Sequence, residues 1–351
     1  MPIPKSPIVL VTFAAFDSGH ARIGKALIDA GVEIRLAPKL GHRSEPELAE
    51  LLKGVSGAIV STDPFTAEVI AGAPDLRIIA RSGVGYDTVD IAAATRHGVQ
   101  VVTTPGANDR SVADHAMAML LSLLRRVPEL DAGVRRGEWN RTGPYVPRQL
   151  SGMTVGVVGY GAIGRRVADR LRGFEVELLV HDPMIEPGGP VESVALHELL
   201  RRSQVVTLHT PLNAATRQLI NADTLALMRP DSVLVNTSRG EVVDQPALAA
   251  ALTEGRIAGA ALDVLDSEPP ERSPLFEMSN VVLSPHNGGL SDVSIHDMLV
   301  RCVDSVLAVL AGGVAPDLLN TDVLDTLAGG GKAAIKNVAR SGAGGQPKQA
   351  T

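Results

Sequence analysis

The chain has a single cysteine, Cys302, so an intrachain disulfide and a cysteine-rich metal site are both excluded. No apolar run approaches the ~20 residues that a membrane-spanning helix needs. The net charge of −6 gives none of the basic character of a nucleic-acid-binding protein. The N-terminal segment carries one lysine and reads as a buried strand rather than a secretory signal. These features predict a cytoplasmic protein with no metal, membrane or nucleic-acid partner.

The sequence has enough apolar residues to form more than one hydrophobic core. The chain has 351 residues, of which 45% are hydrophobic, and a length of this order favours two domains. Strand-like runs alternate with helical runs, which is typical of parallel sheets with crossover helices. Strands are predicted at Ile8–Thr12, Glu33–Leu36, Ala58–Ser61, Ile78–Arg81, Val99–Thr103, Val155–Val158, Val176–Val180, Val205–His209, Ser232–Asn236, Gly259–Leu262 and Val281–Leu283.

Two long helical patterns flank the second half of these strands. The first, Ser111–Arg126, is apolar on most faces and must be buried by its own domain or by a second subunit. The second, Ser291–Leu310, is amphipathic and could return the chain to the first domain. From residue 328 onward the sequence is rich in Gly, Ala, Lys and Ser, which predicts a disordered tail over 328–351.

A glycine-rich turn joins a strand to a helix in the middle of the chain. It reads Gly159-Tyr160-Gly161-Ala162-Ile163-Gly164, directly after the strand that ends at Val158. Gly159 permits a tight turn, Gly161 lets the backbone approach a pyrophosphate, and Gly164 allows close packing of helix on sheet. The amides at the start of the helix would face the phosphates. The order of strand, turn and helix predicts a dinucleotide site.

An acidic residue completes this dinucleotide motif. Asp182 follows the next predicted strand, where a carboxylate accepts hydrogen bonds from both ribose hydroxyls. A 2′-phosphate at the same position would face an anion. Asp182 therefore favours NAD as the cofactor.

Three further segments place chemically active side chains directly after predicted strands. Arg239 lies in Asn236–Asp244, and its guanidinium offers a fork of donors matched to a carboxylate. Asp263 and Glu268 lie in the next segment, where two prolines follow Glu268. His286 lies in the third, and the pKa of histidine suits proton transfer near neutral pH. Each of them taken alone fits a surface or structural role; together they can converge on one crevice beside the nicotinamide.

With these motifs in view, the chain resembles the D-isomer-specific 2-hydroxyacid dehydrogenase family, and most of all its D-3-phosphoglycerate-dehydrogenase-type branch. The resemblance runs from about Val55 to Asn320. It is carried by these segments in the family's order: RSGVGYDTVD, TPGANDRSVADHAMAML, GYGAIGRRVADRL with HDP, HTPL, NTSRGEVVD, ALDVLDSEPP and SPHNGG.

The resemblance implies an α/β fold of two Rossmann-like, doubly wound parallel-sheet domains with a cleft between them. Residues 1–104 and 290–327 would form a split substrate domain, and residues 105–289 an inserted NAD-binding domain. It further implies a homodimer, to which the helix after Ser111 and the loop through Trp139 and Arg141 contribute. The C-terminal regulatory domains of longer phosphoglycerate enzymes are not expected.

The resemblance also implies a reaction and its residues: hydride transfer between NADH and a small 2-keto acid, giving the D-2-hydroxy acid. His286 would be the acid, Glu268 would bind its imidazole, and Arg239 would bind the substrate carboxylate and polarise the carbonyl. The substrate would also meet Arg81 and the backbone amides of Val84 and Gly85. The dinucleotide would be surrounded by Gly159, Gly161, Ala162, Ile163, Gly164, Asp182, Thr210, Thr237, Ser238, Arg239, Asp263, His286 and Gly288.

One departure from the branch concerns the substrate. Phosphoglycerate-type members usually have an arginine near the end of the strand before Thr66, where this chain has Asp63. This puts 3-phosphoglycerate in doubt, although a phosphorylated or phosphonylated acid stays open because Arg81 could meet a distal anion. Two alternatives also stay open: a phosphite-type dehydrogenase, and a non-catalytic NAD(H)-sensing protein like the corepressors that share the fold. Glu268 disfavours formate-type enzymes, which have glutamine there.

Overall fold

The computed structural model describes residues 6–16, 21–39, 41, 43–143, 146–185 and 191–329. The chain forms two compact units, one of Met1–Thr104 with Met298–Thr351 and one of Pro105–Asp297. The boundary between Asp297 and Met298 lies within the helix Asp292–Leu310. Of the tail predicted over 328–351, Ala328 and Gly329 complete a helix, and the rest lies outside the described residues.

The first unit is built on a parallel five-stranded sheet of order β2-β1-β3-β4-β5. Its strands are β1 (Ile8–Val11), β2 (Glu33–Leu36), β3 (Val55–Val60), β4 (Ile78–Arg81) and β5 (Gln100–Val102). Its crossover helices are α1 (Ala21–Asp29), α2 (Glu45–Leu51), α3 (Ala67–Ala71) and α4 (Ile91–Arg96). The central strands are almost wholly buried, as continuous apolar runs covered on both faces must be.

The C-terminal segment closes the edge of this sheet at β5. The Leu319 amide donates to the Val101 carbonyl at 2.8 Å, and the buried Asn320 side chain accepts from the Val101 amide at 2.8 Å. The Asn320 amide group also donates to the Val99 carbonyl at 2.9 Å. These bonds satisfy backbone groups that an open sheet edge would leave unpaired.

The second unit is built on a parallel seven-stranded sheet of order β12-β11-β10-β9-β6-β7-β8. Its strands are β6 (Thr154–Val158), β7 (Glu177–His181), β8 (Glu192–Ser193), β9 (Val205–Leu208), β10 (Val233–Asn236), β11 (Gly259–Leu262) and β12 (Val281–Leu283). The remaining helices are α5 (Asp109–Leu124), α6 (Val127–Arg135), α7 (Ala162–Arg172), α8 (Leu196–Arg202), α9 (Ala222–Leu225), α10 (Gln245–Thr253), α11 (Asp292–Leu310) and α12 (Val323–Gly329).

The strand order of the second unit reverses between β6 and β9, which lie side by side although β7 and β8 separate them in the chain. In open α/β sheets, ligands bind outside the carboxyl ends of the strands at such a reversal. The two sheets confirm the expected α/β class with two doubly wound parallel sheets. No helix among the described residues is long and apolar enough to cross a membrane.

The apolar helix α5 is buried within its own unit. Its residues Ala113, Ala116, Met117, Leu120 and Leu124 join the core on one face of the seven-stranded sheet. This packing accounts for the near-continuous apolar sequence of the helix. Cys302 on α11 is also fully buried, and burial raises the pKa of its thiol to about 12, so it stays protonated.

Candidate active site

The glycine-rich turn after β6 is shaped by close backbone contacts. Gly159 has a φ of 89°, and a Cβ there would lie 2.6 Å from the carbonyl oxygen of His209. A Cβ on Gly164 would lie 2.0 Å from the Gly159 carbonyl oxygen. Around Gly161, by contrast, a Cβ would meet nothing within 4 Å. Two glycines are therefore required by the protein itself, whereas the third faces open space.

Helix α7 begins at this open space with unpaired amides. No side chain caps the helix at Gly161, and the amides of Ala162 and Ile163 donate to no other described residue. The start of a helix carries partial positive charge, so this is an arrangement that binds phosphate oxygens.

The Asp182 carboxylate is fixed beside the same turn. One oxygen accepts from the Tyr160 amide at 2.7 Å and the other from the Met184 amide at 2.8 Å. Each carboxylate oxygen has two lone-pair positions, so both can accept a further hydrogen bond. The carboxylate is thus pre-oriented to bind a pair of vicinal hydroxyls.

Two threonines follow neighbouring strands at this edge of the sheet. Thr210, after β9, is 9% exposed, and its hydroxyl donates weakly to the Pro211 carbonyl at 3.3 Å. The buried hydroxyl of Thr237, after β10, has no hydrogen-bond partner among the described residues. A buried hydroxyl without a partner is costly and fits a site that a ligand completes. The open space at Gly161, the free amides, Asp182 and Thr237 together fit a dinucleotide.

The loop after β10 is held by Asn236. Its side-chain oxygen accepts from the amide and the hydroxyl of Ser238, at 3.0 and 2.7 Å, and its amide group donates to the Arg239 carbonyl at 2.8 Å. Arg239 is half-buried, and one of its guanidinium nitrogens donates to the Ser238 carbonyl at 2.8 Å. The local bonds fix the backbone from which the guanidinium extends.

Gly240 brings this loop against the loop after β11. A Cβ at Gly240 would lie 2.0 Å from the carbonyl carbon and oxygen of Leu265. The amide of Leu265 in turn donates to Glu268 at 3.3 Å. The loop that carries Arg239 and the loop that carries Glu268 are therefore in backbone contact.

The loop after β12 brings His286 to Glu268. Nδ1 of His286 lies 2.6 Å from Oε2 of Glu268, and both side chains are partly exposed, at 31% and 25%. Since a carboxylate can only accept, Nδ1 carries the hydrogen. The other ring nitrogen, Nε2, makes no hydrogen bond with another described residue. The structure thus brings His286 and Glu268 together from the loops that follow two neighbouring parallel strands, next to the loop of Arg239.

Asp263 is turned inward and binds the loop of His286. Its carbonyl accepts from the His286 amide at 2.8 Å, and its carboxylate accepts from the amides of Asn287 and Gly288, each at 2.8 Å. Burial alone would raise the pKa of Asp263, but hydrogen bonds from His115, Ser284 and these amides outweigh it and lower the pKa to about 2. The buried carboxylate is therefore ionised at all physiological pH values.

In the first unit, the turn after β4 presents two free amides. The Ser82 amide donates to the Val60 carbonyl at 2.8 Å, and Gly83 and Thr104 exchange two bonds of 2.9 and 3.0 Å. The amides of Val84 and Gly85, which come next, donate to no other described residue. Successive free amides of this kind form a concavity that binds anions.

Arg81 lies beneath this turn and is only 8% exposed. One guanidinium nitrogen donates to the Ser82 carbonyl at 2.5 Å and would lie 1.7 Å from a Cβ at Gly83. The side chain thus contacts the backbone of the turn from below. The contact of Arg81 with a distal anion stays a prediction.

His209 is a half-buried residue with a buried Nδ1 atom, and sequence reasoning did not foresee its environment. Nε2 lies 2.9 Å from the Thr207 hydroxyl, and Nδ1 has no partner among the described residues. Burial lowers the pKa of His209 to about 3, so the ring is neutral. A strand-end histidine next to a threonine gives no sequence signal that separates this role from a catalytic one.

The sequence of this chain is similar to a known protein family and to named members of it. Residues 117–288 match the family description "D-isomer specific 2-hydroxyacid dehydrogenase, NAD binding domain". A glyoxylate reductase of Thermococcus litoralis is 40% identical over 314 residues, which cover 86% of this chain and 94% of that protein. The chain belongs to the D-isomer-specific 2-hydroxyacid dehydrogenase family.

Two further members of this family show its range. A D-3-phosphoglycerate dehydrogenase of Mycobacterium tuberculosis is 37% identical over 318 residues, covering 90% of this chain but 59% of that protein. A solved glyoxylate/hydroxypyruvate reductase of Sinorhizobium meliloti, in complex with NADP and malonate, superposes with a TM-score of 0.80 at 32% identity, covering 90% of this chain and 97% of that one. The protein is an NAD(P)-dependent D-2-hydroxyacid dehydrogenase.

The different surroundings of Gly161 and Gly164 predict different effects of the same substitution. Gly161→Ala is expected to preserve thermal stability but to weaken NADH binding by about tenfold or more, because its Cβ fills the open space. Gly164→Ala, the matched control, is expected to lower the free energy of unfolding by ~1–3 kcal/mol through the clash with Gly159. NADH titration and thermal unfolding measure the two effects. Unchanged NADH affinity in Gly161→Ala would contradict the assignment.

The neutral His209 predicts acid sensitivity. The unfolded chain binds a proton at this residue below about pH 6.5, whereas the folded chain does so only near pH 3, so stability falls as the pH drops through this window. Between about pH 7 and about pH 5, His209→Gln should lose ~2 kcal/mol less unfolding free energy than the parent protein. Urea unfolding at both pH values checks this. The exposed His197→Gln should behave like the parent, and an equal pH slope in His209→Gln would argue against the neutral ring.

Proposed function

We propose that the protein is an NAD-dependent reductase of small, non-phosphorylated 2-keto acids such as glyoxylate or hydroxypyruvate. The observation that carries this proposal is the 2.6 Å contact between His286 and Glu268, beside the loop of Arg239. A bound reduced nicotinamide supplies the hydride. The products are the D-2-hydroxy acid and the oxidised cofactor, with one proton taken up.

The protein's own residues account for the proton and for the charge of the substrate. Nε2 of His286 donates a proton to the carbonyl oxygen of the keto acid, while Glu268 stabilises the positive imidazolium. The guanidinium of Arg239 binds the carboxylate and polarises the carbonyl, which positions the reactant and stabilises developing negative charge. The family resemblance implies that the Val84 and Gly85 amides also bind a substrate carboxylate. Removal of any of these groups should lower turnover more than it lowers cofactor affinity.

The surroundings of Asp63 support a substrate without a distal phosphate. Asp63 is 7% exposed, accepts from the Thr12 hydroxyl at 2.5 Å, and pairs with Arg43 at 3.0 Å. Arg43 also donates to Glu47 at 2.8 Å and to the Ala37 carbonyl at 2.6 Å, so all three of its nitrogens are engaged. Neither this arginine nor Arg81 extends freely towards a phosphate. A plain keto acid fits this neutralised surface better than 3-phosphohydroxypyruvate does.

A homodimer is part of the proposal. Trp139 is 76% exposed, and Val127 and Val134 on α6 are 53% and 54% exposed. Large apolar side chains clustered in one segment mark a surface that a partner covers. A second copy of the chain is the partner that the family resemblance implies.

Turnover with and without the proposed acid tests the reaction. Against NADH and a panel of glyoxylate, hydroxypyruvate, 3-phosphohydroxypyruvate and phosphonopyruvate, we expect the first two to be reduced with the highest kcat/KM. His286→Ala and Arg239→Ala should each lower turnover by ~10² or more while NADH still binds. His197→Ala, on the exposed face of α8, is the control. Unimpaired turnover in His286→Ala would contradict the assigned roles. If the unaltered protein bound NADH but reduced no keto acid, an NAD(H)-sensing function would be favoured.

Asp182 should decide between the two nicotinamide cofactors. We expect kcat/KM to be higher with NADH than with NADPH by about tenfold or more, because a 2′-phosphate would meet the fixed carboxylate. Asp182→Ser should narrow the ratio by lowering kcat/KM with NADH and raising it with NADPH. Asp169→Ser, an exposed acid on α7, is the matched control. Equal use of both cofactors by the unaltered protein would overturn the NAD assignment.

A further inference from the structure

Helix α5 carries a histidine that faces the loop of His286 from behind. Nε2 of His115 lies 2.9 Å from the Ser284 hydroxyl and 3.2 Å from Oδ1 of Asp263. The side chain of His115 is 25% exposed, whereas that of Asp263 is 2% exposed. His115 is therefore at the boundary between solvent and the buried carboxylate.

The hydrogen-bond directions in this cluster follow from its distances. The Ser284 hydroxyl lies 2.6 Å from Oδ1 of Asp263, which is ionised and can only accept, so the hydroxyl donates to it. The hydroxyl oxygen then accepts from His115. Nε2 of His115 must carry a hydrogen, shared between Ser284 and Asp263. The order of donation runs from His115 to Ser284 and Asp263.

Asp263 passes this restraint to the backbone that presents His286. It accepts from three successive amides, those of His286, Asn287 and Gly288. His286 itself has a φ of 53°, a left-handed conformation that costs a non-glycine residue ~1–2 kcal/mol. Such a conformation persists only where the surrounding structure holds it. The bonds to Asp263 are what hold it here.

A second contact from α5 acts on the same loop. The Ser111 hydroxyl donates to the Gly288 carbonyl at 2.8 Å, one helical turn before His115. Both polar groups of the Gly288 backbone are therefore bound, the amide to Asp263 and the carbonyl to α5. The helix holds the loop at two points along its length.

We infer that His115 is a positioning residue for the reduction: by donating to Ser284 and Asp263 it keeps residues 286–288 in the conformation that directs His286 towards the substrate. The inference rests on the proposed function, since it assigns His115 to the same reaction. His115 makes no hydrogen bond to His286 or Glu268, so it acts only through the loop. A misplacement of about 1 Å in a catalytic group can lower the rate by ~10².

Paired substitutions of His115 test the inference. His115→Gln keeps a side-chain N–H donor, whereas His115→Leu keeps bulk without a donor. We expect His115→Leu to lower kcat by about tenfold or more with the NADH dissociation constant changed less than about threefold, and His115→Gln to restore most of kcat. Asp114→Ala, next to His115 on α5, removes an ion pair with Arg170 of α7 and should match the parent protein.

Amide hydrogen exchange supplies a readout that does not need turnover. In the full-length protein, His115→Leu should speed exchange in the peptide covering Ser284–Leu290, and His115→Gln should not. Parental kcat together with parental exchange in His115→Leu would overturn the inference, as would equal losses in the Leu and Gln variants. If the unaltered protein reduces no keto acid, the proposed reaction fails, and the exchange experiment still decides whether His115 restrains the loop.

Discussion

The buried carboxylate of Asp263 is the interaction on which the catalytic edge of the second sheet depends. An ionised carboxylate with 2% of its side chain exposed is tolerated only because amide, hydroxyl and imidazole donors surround it. Those donors belong to the loop after β12 and to α5. The same bonds that compensate the burial of this charge therefore fix the residue beside Glu268. The hydrogen bonds that stabilise the buried charge of Asp263 are therefore the ones that orient His286. A change that relaxes the loop after β12 to relieve strain would also displace His286.

Parallel strands explain why this edge gathers the reacting groups. β10, β11 and β12 are neighbours in register, and the loops that follow them carry Arg239, Glu268 and His286 respectively. The contact of Gly240 with the Leu265 backbone then brings the first two loops together, and the pair of His286 and Glu268 joins the third. No long-range electrostatic effect is needed, because sheet geometry supplies proximity and short side chain–backbone bonds supply orientation.

Much of this arrangement could be predicted from the sequence, and the limits have a physical cause. Strand runs and the glycine motif depend on local periodicity, so Glu33–Leu36, Ile78–Arg81 and Gly259–Leu262 match the structure residue for residue. The hydrogen-bond partners of a side chain in a loop, by contrast, do not follow from local periodicity. The contacts of His115 with Ser284 and Asp263 join residues more than a hundred positions apart in the chain. No local pattern reports such pairs. The helix across residue 298, by contrast, follows from the amphipathic pattern predicted over Ser291–Leu310.

The choice of substrate follows from which charges the protein has already neutralised. The Val84 and Gly85 amides, which have no acceptor among the described residues, can bind an anion because no internal acceptor competes for them. A distal phosphate would likewise need a cation whose donors are still available. The guanidinium of Arg43, however, already donates to Asp63, Glu47 and the Ala37 carbonyl. Releasing a buried guanidinium from such partners leaves Asp63 as an unpaired buried charge, which costs several kcal/mol. Selection against phosphorylated acids would then come from the internal pairing of an arginine that is present in the chain.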